Sequence, residues 1–168
     1  MLITGTPLFS FFLVFICIGL ILAAGLHDVI ARTVPNSLVL MLSVAAIAAA
    51  TIDGHLAASL LVAGIVFAVT AFCWRRGWMG GGDVKLLGAA VLAMPPNSVL
   101  TFVAAVAIAG GLLAVFYLAG RRLVHAPASL RPNSLLRRSM RVERWRISRG
   151  GPLPYACAIA AGFVIAIM

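Results

Sequence analysis

Long apolar runs, separated by short polar connections, dominate this chain and leave it few choices of fold. Pro7 to Gly25 is uncharged, Ser37 to Ile52 and Leu56 to Cys73 follow, and Val99 to Ala119 and Pro152 to Met168 come later. A helix needs about 20 apolar residues to cross a hydrocarbon core about 30 Å thick. In lipid, backbone donors and acceptors must be satisfied within the spanning element, which restricts the choice to helices and closed barrels. Composition agrees. Of 168 residues, 63% are hydrophobic and 10% are charged, where a soluble domain carries about 25% charged. The chain reads as an all-α membrane protein, one transmembrane domain over residues 1–168, folded as a bundle of about six spans. A cleavable signal peptide is not expected, because no Lys or Arg opens the N-terminus.

One apolar run is too short. Val84 to Met94 makes roughly 16 Å of helix at 1.5 Å per residue, well below the core thickness. Counting from Trp78 gives about 17 residues, barely enough. If this segment spans, Gly80, Gly81, Gly82 and Asp83 sit in the cytoplasmic half of the membrane or at its edge. A re-entrant segment is the competing geometry. Non-helical backbone at that depth is tolerated only when buried in protein or lining a wet cavity.

Charge orients the spans. Arg32 lies in the first connection, Arg75 and Arg76 in the third, and the segment 121–151 carries most of the remaining basic residues with Glu143 as its single acid. The connections at Asp53-Gly54-His55 and Pro95-Pro96-Asn97 carry no Lys or Arg. Positive loops face the cytoplasm, so both termini are expected outside and the 121–151 loop inside. Asp28 and Asp83 then share the cytoplasmic side, and Asp53, a turn residue, lies opposite. The net charge of +9 is thereby topological, and nucleic acid is not expected as a partner. The basic loop suits acidic membrane lipids, at about 1 kcal/mol per residue near the surface. Trp74, Trp78 and Trp145 read as interface anchors. Cys17, Cys73 and Cys157 read as small buried hydrophobes, without a Cys-x-x-Cys pair or any sign of a metal site. His27 reads as a polar edge residue. Gly19, Gly25, Gly64, Gly110 and Gly111 are candidates for close helix packing.

Chemistry concentrates in the carboxylates. The chain has only four acids, and an ionised carboxylate at membrane depth costs about 2.5–3.5 kcal/mol. Taken singly, Asp28 reads equally well as a cap or a membrane-edge residue beside His27 and Arg32, and Asp83 as a helix cap after a glycine turn. Together, on one face and about 55 residues apart in sequence, they suggest a dyad. Two carboxyl groups sharing a site hold a single proton between them. One can then activate a water while the other polarises a carbonyl, without metal or cofactor. The glycines before Asp83 permit close approach of another chain or carboxylate. The rival reading is a small proton- or cation-coupled transporter with the same aspartates lining a wet cavity; no inverted repeat supports it.

Three stretches resemble one family. Gly80-Gly81-Gly82-Asp83 matches the Gly-x-Gly-Asp motif of intramembrane aspartyl proteases, and Val84-Lys85-Leu86 continues it as in the bacterial type IV prepilin peptidases. Asp28 followed by Val34-Pro35-Asn36 is similar to that family's first catalytic aspartate, which precedes an Ile-Pro-Asn turn. Pro154-Tyr155-Ala156-Cys157-Ala158-Ile159 resembles its late Pro-Tyr-Gly-x-Ala-Ile segment, with Ala156 where glycine is usual. Presenilin and signal peptide peptidase relatives pair Gly-x-Gly-Asp with a Tyr-Asp motif that is not found here.

The resemblance implies an endopeptidase of a bacterial inner membrane that removes leaders from prepilin or pseudopilin precursors at the cytoplasmic face, just before a hydrophobic helix. It implies Asp28 and Asp83 as the catalytic pair, no cofactor, and a link to pilus assembly machinery. Gly80, Gly82, Lys85, Pro35, Asn36, Pro154 and Tyr155 would shape the site or meet the substrate, with Lys85 equally readable as a snorkelling lysine and Tyr155 as an interface anchor. Full-length members also methylate the new N-terminus and carry a cysteine-bearing insertion. Its absence between the first two spans resembles the short, peptidase-only branch of the Flp or tight-adherence type. A reporter fused within 121–151 should be cytoplasmic in a protease-accessibility assay; protection of that fusion inside sealed spheroplasts is the expected result.

Overall fold

A computed structural model describes residues 7–123 and 153–167. Among them are six α-helices: α1 (Pro7–Ala31), α2 (Asn36–Ile52), α3 (Leu56–Arg75), α4 (Gly81–Leu92), α5 (Val99–Leu123) and α6 (Tyr155–Ile167). A 3-10 turn, Pro96–Ser98, leads into α5. Three stretches are long and apolar enough to cross a membrane: Phe11–Ala31, Leu56–Arg75 and Pro96–Gly120. The α2 and α6 helices are shorter and apolar, and α4 has only 12 residues. Most of the basic 121–151 segment, Trp145 included, lies outside the described residues.

The first helix runs further than its charge pattern suggests. The uncharged run ends at Gly25, yet α1 continues through His27 and Asp28 to Ala31. Nothing from Leu26 to Ala31 breaks a helix, and two polar side chains do not stop one whose backbone bonds are intact. The break comes at Arg32, whose φ is 56° and whose N–H donates to the Asp28 carbonyl at 2.8 Å. Pro35 then stands at the N-cap of α2 with φ −62°, the angle its ring imposes.

The shortest helix is the most enclosed. Seven of the 12 residues of α4 are buried, Leu86, Ala90 and Val91 among them. It packs against α3 and α2, and touches α6 and α1. The α6 helix lies against α5 and α1, and α1 against α2. By contrast, α3 buries only Ser59 and Ala63 and turns Leu61, Ile65 and Phe72 outward. Exposed Phe11, Phe12, Phe15, Leu112 and Phe116 extend that apolar exterior, as a lipid-facing surface requires.

Small residues set the tightest crossings. A Cβ at Gly162 would lie 2.5 Å from Val106 Cγ2 and 2.8 Å from the Val106 backbone nitrogen, so α6 and α5 meet almost backbone to backbone. Gly25 faces Ala160 and the Ala156 carbonyl, and Gly110 lies under the Tyr155 ring. Among the described residues nothing lies within 4 Å of a Cβ at Gly19, Gly64 or Gly111, because helical position, not residue type, decides which face a glycine occupies. Gly162→Ala should therefore destabilise the bundle by about 1–3 kcal/mol. Gly19→Ala should be neutral or slightly stabilising; thermal midpoints of the detergent-solubilised variants check both.

Candidate active site

Three helix ends converge at one end of the bundle: the C-terminus of α1, and the N-termini of α4 and α6. The last turn of α1 carries Asp28, only 7% exposed. The Ala156 N–H, in the first turn of α6, donates to Asp28 Oδ2 at 3.3 Å. Backbone donors at a helix N-terminus suit a negative group, and here they orient one carboxylate. Asp83 sits in the first turn of α4, and its own N–H donates to the Gly80 carbonyl at 3.1 Å.

The two acids face the same spaces. A cavity of about 550 Å³ is bordered by Asp28 and Asp83 together with Trp78, Met79 and Tyr155. A second, of about 330 Å³, is bordered by the same two acids with Thr33, Asn36 and Lys85. Both cavities are far larger than the roughly 30 Å³ that one water occupies in the liquid.

Glycine leaves room around the start of α4. A Cβ at Gly80 would stand 2.9 Å from Asp83 Oδ2, and one at Gly82 would stand 3.3 Å from Val34 Cβ. The segment that precedes Pro35 thus lies directly over the start of α4. Gly81 does the same for the Trp74 indole, at 3.2 Å.

Each remaining residue picked out from sequence has a place. Lys85 Nζ donates to Asn36 Oδ1 at 3.1 Å, tying α4 to the start of α2. Pro154 is buried, and its carbonyl accepts from the Cys157 N–H at 3.1 Å. Tyr155 borders the larger cavity with its ring over Gly110. His27 Nδ1 lies 2.7 Å from the Thr33 carbonyl and braces the connection after α1. Trp78, expected as an anchor, also borders the larger cavity. Asp53 is at the far end, the C-cap of α2, with His55 Nε2 3.8 Å from its Oδ2. Among the described residues no three His, Cys, Asp or Glu side chains gather as a metal-ligand set.

Sequence reasoning missed two contributors. The Ala156 contact uses a backbone N–H, which no side-chain pattern reveals. Arg32 borders both cavities but reads from sequence as a topology signal. Its place just after Asp28 was the available clue.

Two carboxylates on shared cavities with room for water are the parts of acid–base hydrolysis. A family model described as the type IV leader peptidase family matches residues 10–115, more than half of the chain and both acids. The chain belongs to the type IV leader peptidase family. Membership makes it an aspartic peptidase of the prepilin leader peptidase kind. The match ends before α6, the helix that supplies Ala156 and Tyr155. No curated protein and no solved structure matches the chain. In such a peptidase, Gly80→Ala should push the Asp83 carboxylate aside while the fold holds, because only the tip of a side chain must yield. Cleavage of a prepilin should fall at least about tenfold, with an unchanged thermal midpoint.

Proposed function

We propose that Asp28 and Asp83 are the catalytic pair, and that this peptidase removes the leader from Flp-type prepilin or pseudopilin precursors. The observation that carries the reading is that these two acids, in a chain with four, border the same two cavities. A water held between them loses a proton to the ionised carboxylate, and its oxygen attacks the scissile carbonyl carbon. The protonated partner donates to the carbonyl oxygen. As the tetrahedral species collapses, the C–N bond breaks and the proton passes to the leaving amine.

The same reading places the enzyme in a bacterial inner membrane with both termini outside and the site at the cytoplasmic rim. Arg32, Arg75 and Arg76 support that orientation, since the connections that hold them flank the site. The connection from α1 to α2 spans only residues 32–35, which supports a peptidase without the methyltransferase-associated insertion. Transport of protons or cations finds no support in the family match. Asp28→Asn and Asp83→Asn test the pair. Each should lower leader removal from a co-expressed prepilin by about 10²-fold or more while the protein accumulates normally in membranes. Processing by both variants at the wild-type rate is the result that would reject the assignment.

A further inference from the structure

Beside the two carboxylates the site holds a guanidinium whose placement topology does not require. Arg32 has φ 56°, the left-handed region that residues with a Cβ enter against a steric penalty. Helix ends of this kind ordinarily use glycine. The side chain is pinned as well. Its Nη2 donates to the Tyr117 hydroxyl of α5 at 3.0 Å, and the guanidinium carbon lies 5.9 Å from the centre of the Tyr117 ring. From there Arg32 borders both cavities, next to Asp28 and Asp83. A basic residue that only orients a helix needs no such arrangement. Arg75 and Arg76 are exposed and border neither cavity.

We propose that Arg32 is a substrate-binding residue, donating to an oxygen acceptor of the peptide next to the scissile bond. That acceptor is a main-chain carbonyl or a side-chain carboxylate. A guanidinium stays charged and presents a planar fork of donors to such oxygens. Its position at both cavities puts it beside any chain drawn across the two acids. Arg32 exchanges no proton, so its contribution is binding and orientation. The inference rests on the reading of Asp28 and Asp83 as the catalytic pair.

The test uses the full chain in proteoliposomes and a synthetic peptide of a prepilin leader with the start of its hydrophobic helix. Arg32→Gly should keep or raise the thermal midpoint, since glycine suits the observed φ. Its KM should rise about tenfold or more, with kcat changed far less, the pattern of lost ground-state binding. Arg32→Lys keeps the charge but not the fork and should fall between. Tyr117→Phe should shift KM in the same direction by less. Replacing acidic residues near the scissile bond with glutamine separates the two acceptors. An undiminished Arg32→Gly penalty points to a main-chain carbonyl; a vanished one points to a carboxylate. Wild-type KM in Arg32→Gly would overturn the proposal. So would a fall in kcat alone, which would mean that Arg32 acts on the carboxylates, or an activity loss that merely follows a lowered midpoint. Asp28→Asn and Asp83→Asn, assayed in parallel, keep the cases apart. If they still cleave, the pair is misassigned; if they are dead while Arg32→Gly is normal, only Arg32 is.

Discussion

A helix too short to cross a membrane must be enclosed by others, and this protein is arranged around that requirement. With 12 residues, α4 spans roughly 18 Å. Its first turn would leave backbone donors in lipid unless protein or water met them. The bundle supplies protein on its flanks and room for water at its start. Four helices touch α4, and its N-terminus opens onto two cavities. Shortness thus places Asp83 where a carboxylate can be wet and still be surrounded by protein.

Close packing and chemistry use the same device here. Gly162 lets α6 settle against Val106 of α5, and Gly25 lets α6 settle against α1. Those contacts deliver the Ala156 N–H to Asp28. At the other acid, the bare backbone at Gly80 and Gly82 leaves room for the Asp83 carboxylate and for Val34. A methyl group at Gly80 would displace the Asp83 carboxylate and one at Gly82 would press on Val34 by tenths of an ångström. The glycines are therefore a condition of the site's geometry as much as of the fold's compactness.

Much of the site could be read along the chain because its parts are local. The triplet before Asp83, the Pro35 that starts α2, and the pairing of Asp28 with a basic, broken connection are short-range signals. Other features followed from contacts between segments far apart in sequence. The Asp28 carboxylate meets the Ala156 amide of α6, which no local pattern announces. The place of the Tyr155 ring over Gly110 of α5 depends on how α5 and α6 cross. Gly19, Gly64 and Gly111 read as packing sites, yet no described residue lies within 4 Å of a Cβ there.

By itself the sequence determined the class of fold, the rarity of its acids and the turn chemistry around them. Hydropathy, charge placement and backbone permissiveness are properties of residues and their near neighbours. Only the tertiary structure decided that Asp28 meets an amide 128 residues away, and that Arg32 reaches Tyr117 across the bundle. It also decided which glycines lie at a crossing. Those outcomes depend on how helices rotate and approach one another, and that is set by the whole packed interior at once.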